Sequence, residues 1–322
     1  MIGSLSASLV ISLLLAVLIG PYSRQQQPWA PSLVSVQYGG KRLICDDIEQ
    51  RYAVQQNRLN SRTLNFLLFD AAERGCVKLV EQFLAAGAAI TARDRFGNTA
   101  LLRAARAGEN TMVDLLLEKG FDVHHRNLAG STALLRAVTM NRRRTATILL
   151  AAGAEVDAAN NRSITPLIAA AYNGNERIVR MLLQAKASAD LRDATGKGAI
   201  VYAAGKGFSN IVAMLLDAGV DVDALYEHNL TALMWAVGYS NDVPVQEGLE
   251  TVRVLLGRRA RYDLADDRGR TALMIAAERD HAEVVTLLLQ AGADRGRRDA
   301  EGRTAHDLAA SDAVRRALEK EG

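Results

Sequence analysis

Residues 99–104 read TALLRA, and residues 132–137 read TALLRA again, thirty-three positions later. Stepping along the chain at that interval finds more copies. Thr99, Thr132, Thr165, Gly198 and Thr231 are each 33 apart; Thr231 to Thr271 is 40, and Thr271 to Thr304 is 33. The runs that follow are TALLRAA, TALLRAV, TPLIAAA, GAIVYAA, TALMWAV, TALMIAA and TAHDLAA. Counting back from Thr99 reaches Phe66, where FLLFDAA fits the frame without its threonine. A fixed period of this length marks stacked units, each of which has apolar faces that only its neighbours can bury. About eight units are counted, and the first and last are the least regular, as capping units are.

Every unit follows one grammar. A polar turn closes on glycine at 94–97, 193–196, 266–269 and 299–302. The threonine then opens a short helix as a capping residue. A second turn carries Gly75, Gly108, Gly174 or Gly207, and a second helix follows with apolar residues at helical spacing, such as Met112, Val113, Leu115, Leu116 and Leu117. Gly87, Gly120, Gly153, Gly219 and Gly292 end the second helices, where glycine permits a left-handed turn. Period and grammar together predict an all-α solenoid of about eight helix–turn–helix units joined by short β-turn fingers.

This pattern resembles the ankyrin repeat family, whose period is thirty-three residues and whose first helix opens T-P-L-H-x-A. The fourth unit keeps the proline, as Pro166, and no unit keeps the histidine. The resemblance covers residues 63–322. Ahead of it, Ile44, Ile48, Tyr52 and Leu59 fall on one helical face, which predicts a capping helix over 43–60 within a linker-and-cap region, 24–62.

Composition agrees with close-packed helices. Apolar residues make up 49% of 322, yet aromatics only 5%, so alanine and leucine fill the interior. The net charge of +3 is too small for a nucleic-acid binder that presents a dominant basic face, and no nucleic-acid partner is expected. Residues 1–23 carry no charged side chain, and Leu9–Ile19 is almost wholly apolar. This reads as a signal peptide or a membrane anchor. The expectation is a periplasmic domain, or one tethered to the inner membrane facing the periplasm. The alternative is a cytoplasm-facing anchor, because Arg24, Lys41 and Arg42 all follow the segment.

The sequence contains no G-x-S-x-G, H-E-x-x-H or G-x-x-x-x-G-K-[ST]. Gly196-Lys197-Gly198 and Gly205-Lys206-Gly207 sit at repeat turns with the wrong spacing for phosphate binding. His124-His125 reads as a pair of exposed turn residues, since adjacent side chains in extended backbone diverge and no metal site follows. No enzyme activity, metal or cofactor is expected. Cys45 and Cys76 lie in no CxxC. An exported chain would join them and pin the cap to the array; in a reducing cytosol they would remain two thiols.

The resemblance implies a concave groove, formed by finger tips and first helices, that binds another protein. The positions it points to are Arg95, Phe96, Arg106, Leu128, Met140, Arg162, Tyr172, Asn173, Lys206, Glu227, His228 and Tyr239. Arg103 and Arg136 stand in a slot that Ala170, Tyr202, Trp235 and Ile275 fill elsewhere, facing partly into the groove, and Arg103, Arg136 and Trp235 are expected to meet the partner; with Arg93, Arg126 and Arg192 from the turns, the arginines are expected to give the N-terminal half of the groove a partly basic floor. A monomer with one protein partner is the expected form. Two places break the pattern. Arg142-Arg143-Arg144 opens a helix where other units carry Glu109, Glu176 or Glu283, against the helix dipole. The sixth unit holds seven extra residues within 238–250, expected as a loop between its helices, with Asn241, Asp242 and Glu247 a weak oxygen set for an ion. The competing readings are an anionic membrane or nucleic-acid binder through Arg142–Arg144 and Arg295, Arg297 and Arg298, or an enzyme with a groove site.

Overall fold

The computed structural model describes residues 40–55, 60–238 and 243–319. The apolar segment 1–23, the linker to residue 39, Leu59, Tyr239, Asn241 and Asp242 lie outside the described residues. Seventeen α-helices and no strand occur among the described residues. α1 (Gly40–Gln55) precedes eight pairs: α2 (Ser61–Arg74) and α3 (Val77–Ala85); α4 (Ala100–Ala107) and α5 (Asn110–Glu118); α6 (Ala133–Thr139) and α7 (Arg143–Ala151); α8 (Pro166–Tyr172) and α9 (Glu176–Gln184); α10 (Ala199–Gly205) and α11 (Ser209–Asp217); α12 (Ala232–Val237) and α13 (Val245–Gly257); α14 (Ala272–Glu278) and α15 (Ala282–Gln290); α16 (Ala305–Leu308) and α17 (Asp312–Glu319). The fold is the all-α solenoid that the period predicts.

The repeated sequence explains the layering. In α4, Ala100, Leu101, Leu102, Ala104 and Ala105 are buried, so the first helix is enclosed on most sides. In α5 only Met112, Val113 and Leu116 are buried, a single stripe. First helices therefore form the inner layer, packed on one another through alanine, and second helices keep a face in solvent. A leucine buried as completely as Leu101 or Leu134 contributes about 1.5–3 kcal/mol.

Capping fixes where each helix begins. Thr132, Thr165 and Thr231 accept a hydrogen bond from the backbone N–H of Leu135, Ile168 and Met234, each at 3.2 Å. Thr304 and Asp307 complete a reciprocal capping box. The turn after α8 shows why glycine is required there: Gly174 has φ +68°, and a Cβ on it would lie 2.6 Å from the Phe208 ring of the next unit.

The first unit departs from its neighbours. α2 begins at Ser61, capped by Asn60, whose side chain accepts from Thr63 N–H at 2.9 Å. Phe66 thus lies inside a longer helix, and the frame has no use for a threonine there. α1 covers this unit with Ile48 and Tyr52, the Tyr52 ring lying 5.0 Å from that of Phe83. Arg51 pairs with Asp70, which also accepts from Arg74 Nε at 2.8 Å.

Asp70 gives α1 a dependence on pH. Burial pushes its carboxyl up, but the hydrogen bond and charge of Arg51 and the charge of Arg74 outweigh this and hold it below the ordinary carboxylate value. A depressed folded-state value stabilises above the unfolded-state one and stops doing so as pH falls through the folded-state one. Acidification below about pH 4 should therefore loosen α1, still tethered through Cys45, more than the middle of the array, and Asp70→Asn should flatten that response. Amide exchange across α1 as a function of pH checks it.

The insertion in the sixth unit differs from the expected loop. α13 has thirteen residues where α11 has nine, and the connection ahead of it, 238–244, is longer than 206–208 in the preceding unit, so the extra residues are shared between helix and connection. Pro244 at the N-cap position explains the arrangement, because it cannot continue a helix backwards yet suits the residue before its first turn.

Candidate functional site

The fingers are built on one device. At Asp94, Asn127, Asn160, Asp193, Asp266 and Asp299, a side-chain oxygen accepts from the backbone N–H two and four residues on. Neighbouring tips are tied by backbone bonds, such as Leu128 N–H to Phe96 O at 3.0 Å and Ala194 N–H to Arg162 O at 2.9 Å. The sixth finger has Tyr226 at the first position, and it turns instead through His228 and Asn229, both in the left-handed region at φ 61° and 57°. His228 is exposed, its Nδ1 3.3 Å from Asp267 Oδ2.

The groove floor divides into two chemically distinct stretches. Over the second and third units, Phe96 and Leu128 project from adjacent tips with 44% and 74% exposure. Arg95 stacks over Phe96 at 4.7 Å. Behind them Arg103 and Arg106 both bind Glu73, and Arg103 lies 3.6 Å from Asp94. Over the fourth to sixth units the floor is aromatic. Tyr172 on α8 meets Tyr202 on α10 edge to face at 5.7 Å, and Lys206 Nζ sits 4.0 Å over Tyr172. Trp235 on α12 packs against α10 at Gly205, with Lys197 Nζ 5.6 Å above its ring and itself paired with Glu227. Trp235 Nε1 is shielded from solvent and has no acceptor among the described residues. The Tyr202 hydroxyl donates to Asp193, and burial first, then that carboxylate, pushes it well above the ordinary phenol value.

Several residues expected at the groove have structural duties instead. Arg126 donates to the Ala159 carbonyl of the next finger. Arg192 donates to Leu225 O at 2.7 Å and lies 4.5 Å over the buried Tyr226 ring, whose hydroxyl burial pushes up to about 12. These two arginines tie finger to finger, and Glu73 and Asp94 offset Arg103 and Arg106, so the basic floor is much reduced. Asn173 reaches back to Thr139 O at 3.1 Å. Arg136 on α6, Met140 at the end of that helix and Arg162 in a finger tip are all half-buried. Tyr202 and Lys197 belong to the aromatic stretch although they are not among the positions the resemblance implies. Their signal in the sequence is that Tyr202 shares its column with Trp235.

Other expectations meet the structure as follows. His125 is buried, not exposed: its Nε2 lies 2.8 Å from Gly97 O, so the ring closes the joint between two fingers, while His124 stays in solvent. Cys45 and Cys76 are bonded, with Cα atoms 5.7 Å apart. Arg295 and Arg298 donate to the Leu318 and Gly302 carbonyls. Among the described residues no group of His, Cys, Asp and Glu is gathered to hold a metal, and no helix is long and apolar enough to cross a membrane.

A family model described as ankyrin repeats (3 copies) matches the chain four times, over residues 68–160, 150–226, 167–245 and 243–321. The chain belongs to the ankyrin repeat family. Among curated relatives, ankyrin repeat domain-containing protein 63 of Mus musculus and that of Homo sapiens are each 42% identical over 76 residues, 24% of this chain. The match spans 19% of the length of those relatives. Ankyrin repeats generally mediate protein–protein interaction and typically serve as non-catalytic scaffolds.

Proposed function

We propose that this chain is a non-catalytic adaptor that grips a protein segment along the groove of its fourth to sixth units. The observation that carries this is the run of Tyr172, Tyr202 and Trp235 across three successive first helices, with Lys197 and Lys206 over its rings. Large aromatics next to cations, half-buried on a stiff floor, have the composition of residues that dominate protein interfaces. They cost little entropy on binding because their neighbours already hold them. Phe96 and Leu128 extend the same face with apolar area. The exported location, periplasmic or tethered on that side, is part of the same reading. It is supported by the Cys45–Cys76 bond, which suits an oxidising compartment, and by the uncharged apolar run ahead of the array.

Photo-crosslinking in the native cell tests the adaptor role. A benzophenone side chain at Phe96 or Tyr172 should capture one and the same protein, and one at Thr147 or Ala213 on the second helices should not. Capture of the same protein from both layers, or of none from the groove, overturns the reading.

A further inference from the structure

The second-helix layer carries a feature that groove binding does not use. Arg143 and Arg144 on α7 and Arg177 and Arg180 on α9 are all exposed. α7 and α9 adjoin: Asn175 binds Asn141 at their starts, and Thr147 Oγ1 lies 3.2 Å from Met181 Sδ further along. Arg144 and Arg177 are one period apart and so stand in one column of the second-helix layer, and Arg143 and Arg180 lie on the exposed sides of the same two adjoining helices. Among the described residues none of these guanidiniums has a carboxylate within 4.0 Å, in contrast to Arg74, Arg103, Arg258, Arg268 and Arg303 elsewhere. Glu176, between them in sequence, accepts from Asn210 on the next helix at 2.8 Å. Arg143 and Arg144 also open their helix, where a cation opposes the dipole, so fold stability does not account for them.

We propose that this face of the third and fourth units docks on an anionic phospholipid surface. Guanidinium forks pair with phosphate oxygens in a bidentate way, and a cluster of four is attracted to a headgroup plane by charge alone. The face lacks what the competing partners need. Among the described residues the exposed large apolar ones are Val54, Phe66, Ile90, Phe96, Leu128, Leu191, Leu225 and Val245; none is on α7 or α9, so the face has no anchor for a protein pocket and no ring for stacking a base. A duplex binder ordinarily makes about six to ten phosphate contacts, more than this cluster offers. The chain also supplies its own reason to meet a bilayer, because the uncharged run Leu9–Ile19 precedes the array. Docked in this way, the array turns its groove away from the lipid.

The test measures partition of the full chain onto vesicles of phosphatidylcholine alone and of two parts phosphatidylcholine to one part phosphatidylglycerol. The apolar segment contributes equally to both, so the difference reports the charged face. The mixed vesicles should bind at least about tenfold more tightly, and raised salt should remove that increment. R143Q/R144Q/R177Q/R180Q should lose most of it. R62Q/R93Q/R259Q/R316Q, with the same net charge spread over the array, should keep it. Equal loss in both variants, an increment that persists in high salt, or tighter binding to duplex DNA than to the mixed vesicles at equal salt would overturn the proposal. The salt arm needs no variant and stands even if a variant folds poorly.

Discussion

With Cys45→Ser and Cys76→Ala introduced together, the N-terminal end of the array should lose about 3–4 kcal/mol of stability, and α1 should detach. The bond closes a loop across a separation of 31 residues, and that length sets the magnitude in the chain-entropy account. What remains after cutting it is small. Among the described side chains of α1, Ile48 and Tyr52 are the buried apolar ones, worth about 1.5–3 kcal/mol each. The tilted Tyr52–Phe83 pair adds about 0.5–1.5 kcal/mol, and the part-exposed Arg51–Asp70 pair about 0–1 kcal/mol. Against this stands the entropy of ordering a helix whose length is marginal alone. In a stacked array the loss stays local, because each unit contacts only its neighbours. Urea unfolding should therefore separate an early N-terminal phase from the main transition, and reductant added to the wild-type chain should reproduce it. A single transition, unmoved by reductant, would show that the bond contributes nothing to holding α1.

The period made most of this fold legible. A thirty-three-residue spacing of TAL-type runs announces stacked pairs because alanine at the buried positions is the condition for inner helices to approach, and Ala100, Ala104 and Ala105 meet that condition in α4. What the sequence concealed lies in joints between units. His125 is polar and follows another histidine, which makes it look like surface; its burial depends on Gly97 O of the preceding finger, a contact across 28 residues. Arg126 and Arg192 look like groove cations until the carbonyls they reach one period later are in place. The inserted residues of the sixth unit look like a loop because the count does not reveal how many join α13. Phase is local and readable; a side chain that bonds one unit along is not, because its partner's position follows from the stacking itself.

The same distinction decides which groove substitutions matter. Tyr172→Ala should weaken binding of the crosslinked partner by about thirtyfold or more, the equivalent of about 2 kcal/mol or above for an interface anchor. Trp235→Ala should do at least as much, whereas Arg103→Ala should change affinity by less than about threefold. Tyr172 presents its ring beneath Lys206 and against Tyr202, so a partner gains area and a polarised face without paying to order them. Arg103 is already bound to Glu73, and recruiting it would mean breaking that pair for an equivalent one. Tyr202→Phe separates surface from scaffold. It keeps the ring but removes the donor to Asp193, which still holds its finger through Thr195 and Lys197 N–H at 2.8 and 3.1 Å. Affinity should fall only modestly, with amide exchange rising in that finger. Calorimetric titration of the captured partner against each variant, with circular dichroism to verify folding, gives the ranking. Were Arg103→Ala to cost more than Tyr172→Ala, the partner would be reading charge over the second and third units, and the aromatic stretch would be packing between helices with no role in recognition.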